Sequence, residues 1–179
     1  ADGPPTDWVT ENLSPGATLG YDPWLMTPGQ ITRYQAACDK AGAVLAPVQA
    51  NPVDAVWRDR PAAPLSPIII HDDAFAGETS ADKRRAVAAR LAGEKIDAAV
   101  LTAPDSIAWL LNIRASDVPF TPLALAFAVL DAEAGVDLFV DRRKVSPEIR
   151  EHLGADVRCF DPDAFGPALN RGPVDDPDN

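Results

Sequence analysis

Cysteine is close to absent from this sequence: Cys38 and Cys159 are its whole complement. Two thiols set so far apart make neither a disulfide framework nor a zinc-ligand spacing, so both are expected as small apolar fillers. Basic residues are also short, 16 against 27 acidic ones, for a formal net charge of -11. A chain this negative repels phosphate backbones and has no counterion release to drive binding, which excludes nucleic acid and anionic membrane surfaces as partners. No apolar run approaches the roughly 20 residues that span a bilayer, and residues 1–12 lack the basic start and apolar centre of a signal peptide. The expectation is a soluble, cytoplasmic protein. Missing too are H-E-x-x-H, G-x-S-x-G, a phosphate loop, paired C-x-x-C and a G-x-G-x-x-G after a strand. Their absence removes the familiar zinc-peptidase, serine-hydrolase and nucleotide-binding constellations.

What is present is enough apolar residue, 46% of 179, to bury a core, and clear punctuation between elements. Thr27-Pro28 opens a helix whose face carries Ile31, Tyr34, Cys38 and Ala41 and which Gly42 closes. Ser146-Pro147 opens a second that stops at Gly154, and Thr79 or Ser80 a longer one ending near Gly93. On the last, Lys83, Arg84, Arg85 and Arg90 read as a solvated outer face. Helices are also expected over 6–13 and 104–111, the second with Ile107, Leu110 and Leu111 on its buried side, and Trp8 and Trp109 are expected as core anchors. Strand candidates are 18–21, 43–48, 68–70, 97–101, 123–130, 136–140 and 157–160. The polar connection Asp131-Ala132-Glu133-Ala134-Gly135 suits a hairpin, so the sheet should be mixed.

Four prolines, at 52, 61, 64 and 67, break the pattern from Asn51 to Asp73. The reading divides the chain into a first piece, 1–60, a proline-rich linker, 61–74, an α/β domain, 75–169, and a flexible tail, 170–179. The first piece holds only two strands, marginal for independent stability, so an earlier segment of a longer chain is expected to complete it.

Candidate chemistry is sparse. His71-Asp72-Asp73 has ligand-type side chains, but adjacent residues on an extended segment point to opposite faces, so solvated loop acids are the better reading. His152 sits near a helix C-terminus with no visible nucleophile, and reads as surface. In the segment Leu111-Asn112-Ile113-Arg114-Ala115-Ser116-Asp117-Val118-Pro119-Phe120 a helix ends in a loop that gathers polar groups between two apolar elements, where sites are often built. Arg114 and Asp117 either pair to hold that loop or face a ligand, and the residues alone leave both open.

Several segments resemble, in order, the N-terminal region of Xaa-Pro aminopeptidases, the aminopeptidase P branch of the creatinase and prolidase family. They are Gly20-Tyr21-Asp22-Pro23-Trp24-Leu25, then Asn51-Pro52-Val53-Asp54-Ala55-Val56-Trp57, then Phe75-Ala76-Gly77-Glu78-Thr79-Ser80 running to Lys83. Leu101-Thr102-Ala103-Pro104-Asp105-Ser106-Ile107-Ala108-Trp109-Leu110-Leu111-Asn112-Ile113-Arg114 and Leu138-Phe139-Val140-Asp141 complete the series. The resemblance implies an α/β fold, a mixed sheet with flanking helices of the creatinase/prolidase N-terminal, ribonuclease H-like type, preceded by part of a second similar domain. It implies that catalysis lies elsewhere, in a C-terminal domain holding two metal ions, usually manganese, with no catalytic or metal-binding residue and no cofactor in this chain. By the same resemblance the chain is an interior fragment, inactive alone, that shapes the active-site cleft. Its partners would then be peptide substrate, the rest of the parent chain and a homodimer mate. Arg114 and Asp117 are the cleft-edge candidates, carried over from N-I/L-R-G-x-D-x-P, with Ala115 standing where the family usually has Gly and Met26 where a His is common. The competing readings are a stand-alone α/β module binding a peptide or partner, and a hydrolase built on Arg114, Asp117 and His71.

Overall fold

Residues 3–171 are described by a computed structural model, and they divide into two compact units between Ala62 and Ala63. In the first, α1 (Pro5–Asn12), β1 (Thr18–Tyr21), α2 (Pro28–Ala41), β2 (Val44–Pro47) and α3 (Pro52–Val56) follow one another. The α2 start is a reciprocal capping box: the Thr27 hydroxyl accepts from the Gln30 amide, and the Gln30 side chain accepts from the Thr27 amide. Gly42, at φ 70°, ends the helix in the left-handed conformation that glycine adopts without penalty. Strands β1 and β2 pair in parallel, Thr18 opposite Val44 through Tyr21 opposite Pro47, with α2 as the crossover. Val9, Ala37, Cys38 and Ala43 form the core of this unit. Gly20 is a steric requirement, since a Cβ there would lie 2.7 Å from the Val48 side chain.

The second unit contains β3 (Ile69–Ile70), α4 (Asp73–Ala76), α5 (Ser80–Glu94), β4 (Ala98–Leu101), α6 (Pro104–Leu111), β5 (Ile113–Arg114), β6 (Phe127–Asp131), β7 (Val136–Phe139), α7 (Pro147–Leu153), β8 (Val157–Phe160) and α8 (Phe165–Arg171). Its main sheet runs β4-β6-β7-β8, antiparallel except for the parallel pair β7/β8, so the sheet is mixed. All four residues of β7 are buried, as for a strand covered on both faces. One layer packs Ile107, Leu110 and Leu111 of α6 with Leu130, Leu138 and Ile149. The other is aromatic, Phe165 of α8 stacking on Phe127 at 4.4 Å between ring centroids and meeting Phe139 edge-on at 5.3 Å. The 131–135 connection is a hairpin turn in which the Asp131 carboxylate accepts from the amides of Glu133 and Gly135.

Several expectations need correction. Trp8 and Trp109 are not core anchors, at 60% and 50% exposure; α1 buries Val9, while α6 buries Ile107, Leu110 and Leu111 as expected. Lys83 and Arg84 are not on a solvated face but are 3% and 4% exposed. Lys83 reaches acceptors at the end of α6, while Arg84 donates to the Ala134 carbonyl at 2.6 Å and braces the hairpin turn. His152 is half-buried, with Nε2 2.9 Å from the Leu111 carbonyl. The strand read as 123–130 begins only at Phe127, because the Leu125 amide is taken by a carboxylate and the Pro122 and Leu123 carbonyls accept from Ala115 and Asp117. Pro52 opens α3 instead of breaking the chain, sitting in its first turn behind the Asn51 cap. The two-residue β5, α4 and α8 had no periodicity long enough to read. Of the tail expected over 170–179, residues 170 and 171 end α8 and the others lie outside the described residues.

Candidate functional site

Helix α6 ends at Asn112, whose φ of 50° is left-handed, a conformation asparagine tolerates. Its amide side chain is 1% exposed and fully partnered. Nδ2 donates to Asp73 Oδ1 at 2.7 Å and to the Glu78 carbonyl at 2.8 Å, while Oδ1 accepts from Lys83 Nζ at 2.7 Å. Lys83 also donates to the Trp109 carbonyl and lies 5.1 Å from the Trp109 ring centroid, a cation–π contact. Residues from α4, α5 and α6 therefore converge on one amide, and the chain leaves it in a fixed direction.

That direction carries β5 against β3, with Ile70 opposite Ile113 and Ile69 opposite Arg114. Arg114 is half-buried, and its Nη1 donates to the Ala108 and Ile113 carbonyls at 3.0 and 2.8 Å. Ala115 is buried with no positive φ, so Ala in place of Gly brings no backbone strain. Asp117 follows, its side chain 0% exposed. Its carboxylate accepts from the Ser66 hydroxyl at 2.6 Å and the Leu125 amide at 2.7 Å, and it forms a buried ion pair with Lys144. Burial by itself would raise this carboxyl, but the hydrogen bonds from Lys144, Ser66 and Leu125 and the Lys144 charge hold it below the ordinary carboxylate range. Arg114 and Asp117 thus do not pair with each other. The partner of Asp117 is Lys144, 27 residues on, with Ser66 51 residues back in the proline-rich stretch. No local spacing signals either partner.

Beyond Asp117 the chain makes a tight turn, Val118-Pro119-Phe120-Thr121, closed by a bond from the Thr121 amide to the Val118 carbonyl. Phe120, third in the turn, has φ 60° and a fully exposed ring. A turn with proline second and a positive φ third favours glycine or asparagine there.

A mostly apolar cavity of about 370 Å³ opens beside this loop's return, lined by Thr102, Pro104, Leu125, Phe127, Phe139 and Lys144 among others. It lies past the C-terminal ends of β4 and β7, where α/β sheets commonly place ligands. Lys144 is committed to Asp117, so the cavity can sort ligands by shape and apolar contact and offers no free acid or base from that residue.

In the first unit, the two motif segments are joined directly: Asn51 Nδ2 donates to Asp22 Oδ2 at 2.8 Å, while Asp22 Oδ1 holds the Trp24 amide and Asn51 Oδ1 caps α3. A groove of about 1150 Å³ runs along this junction past Trp24, Leu25, Asp54 and Arg60.

No group of three or more His, Cys, Asp or Glu side chains fit to hold a metal ion occurs among the described residues. In the 71–73 cluster, Asp72 caps α4 through the Ala74 amide and Asp73 holds Asn112, so the donor set does not fit a dinuclear centre. Nor is any described helix long and apolar enough to cross a membrane.

Comparison with known proteins gives a consistent match. The model of the creatinase/prolidase N-terminal domain matches residues 59–174. A probable Xaa-Pro aminopeptidase P of Aspergillus clavatus is 38% identical over 152 residues, 84% of this chain and 23% of that protein. Aminopeptidase P1 of Lotus japonicus is 34% identical over 165 residues, 90% of this chain and 25% of its own. The crystal structure of X-prolyl aminopeptidase from Caenorhabditis elegans, a cytosolic enzyme with a di-nuclear active site, superposes with a TM-score of 0.82 at 30% identity, covering 92% of this chain and 27% of the other. The chain spans about a quarter of the length of the relatives it matches.

Proposed function

This chain belongs to the creatinase/prolidase N-terminal domain family, and from that we propose that it is a non-catalytic N-terminal and middle portion of an Xaa-Pro aminopeptidase. Its parent removes the N-terminal residue from peptides with proline second. One observation carries the reading: nearly the whole chain aligns inside proteins named for that activity, yet it makes up only 23–25% of them. The rest of such a protein supplies the chemistry. There two metal ions, manganese by family resemblance, would activate water for attack on the amide, and nothing in this chain is asked to hold them.

In this reading residues 1–60 are the later part of a first creatinase-N-like domain, 75–169 are the second, and 61–74 join them. The role of the segment is to wall the cleft or to contribute to contacts in a homodimer, in the cytoplasm. Arg114 stands at the cleft edge, with a half-buried side chain anchored on two carbonyls. Asp117, enclosed and ion-paired, positions the loop from beneath and does not touch the peptide itself.

The test is release of the N-terminal residue from an Xaa-Pro peptide by the purified chain with excess manganese, beside the full-length enzyme. An inactive chain beside an active full-length enzyme is the expected result. Turnover by the chain itself, with contaminants excluded, overturns the proposal.

A further inference from the structure

Phe120 is the most exposed of the large apolar side chains among the described residues, and it is held there with a backbone angle of 60°. A single apolar residue at a surface is ordinary. This one differs in how it is mounted. The turn that carries it rises from Asp117, whose carboxylate is buried and bonded to Lys144, Ser66 and the Leu125 amide, and both strands of the loop are stitched by backbone bonds from Ala115 and Asp117 to Pro122 and Leu123. A rigid base thus presents an aromatic ring to solvent in a conformation that a bulky residue disfavours, the kind of local cost that persists where a site needs it.

We infer that Phe120 is a docking knob that seats in an apolar socket on the remainder of the full-length aminopeptidase, registering this segment against the part that bears the catalytic centre. The inference rests on the proposed function and adds to it the residue and the partner. The size of the knob selects that partner. One phenylalanine buries about 150–250 Å², whereas a stable association between separate proteins buries about 1,200–2,000 Å². Phe120 alone therefore holds neither a second copy nor an unrelated protein. It suffices where the partner is tethered, because a covalent link raises the effective concentration to the millimolar range, on the order of 1 mM for short linkers. The relatives matched are chains of that kind, with about three quarters of their length outside the aligned segment.

The experiment is hydroxyl-radical labelling of the Phe120 ring in the full-length enzyme, read by peptide mass at position 120 and compared, at a radical dose matched with an added phenylalanine standard, with the same chain unfolded in urea. Labelling about tenfold or more slower in the native enzyme is expected, since burying one such side chain makes the undocked state a minor one. Native labelling as fast as in urea overturns the knob, and does so without touching the proposed function if the enzyme still cleaves Xaa-Pro peptides. Protection that vanishes on dilution identifies a second copy as the partner and also overturns it. Protection in a full-length protein that cleaves no Xaa-Pro peptide leaves the knob standing and removes the proposed function.

Discussion

Asp117 and Lys144 show how a residue can be legible as important and still be misread. The sequence points to Asp117 by its place in a polar loop, and the fold gives it a cation from a distant 3-10 turn, Arg142–Lys144. Removing one member of a buried pair strands the other, so Asp117→Ala should destabilise the chain by about 3–5 kcal/mol, seen as a lower urea midpoint. Asp117→Leu combined with Lys144→Met should recover most of that loss, because no charge is left buried. The folded carboxyl titrates below its ordinary value of 3.8. Its contribution is therefore present above that value and lost as pH falls through the lowered one, and the Asp117→Asn variant should show a flatter acid limb in stability against pH below about 4. Phe120 makes the opposite case. Its ring contributes no burial in this chain, so Phe120→Gly should stabilise the chain by up to about 1 kcal/mol through relieved left-handed strain, seen as a higher melting temperature.

Elements with both ends marked were readable because capping is local. Thr27 and Gln30 are three residues apart, and their reciprocal bonds need no tertiary contact. Thr27→Ala should cost about 1 kcal/mol, measurable by thermal unfolding. Which face of a helix is buried is a different matter. On α6 the face of Ile107, Leu110 and Leu111 is buried as expected, but the apolar residues almost surround the axis, and only the position of the sheet decides that Trp109 stays half out over Lys83. Leu110→Ala should accordingly cost about 2–5 kcal/mol, and Trp109→Ala clearly less in the same denaturation assay. The strand start at Phe127 is not legible in the sequence for a related reason. Residues 123–126 are as apolar as a strand, but their backbone groups are claimed by the Asp117 loop, which no periodicity reveals.

At the scale of the molecule, the two units differ in how complete they are. The second has a four-stranded sheet covered on two sides by separate core layers. The first rests on one pair of four-residue parallel strands and a small cluster around Val9 and Cys38, and parallel pairs of that size are not stable alone. Residues 63–171 expressed alone should melt cooperatively, and residues 1–62 should not, with circular dichroism as the measurement. Sequence by itself determined the family, the α/β class, the mixed sheet, the hairpin at 131–135 and most helix starts, since motif order, apolar period and capping are all encoded within a few neighbouring residues. Tertiary structure alone decided that Lys83 and Arg84 are buried, that Asp117 answers to Lys144 and Ser66 and not to Arg114, and that Phe120 stands in solvent. Those outcomes depend on which distant groups arrive at one point in space, and burial, ion pairing and exposure have no meaning until they do.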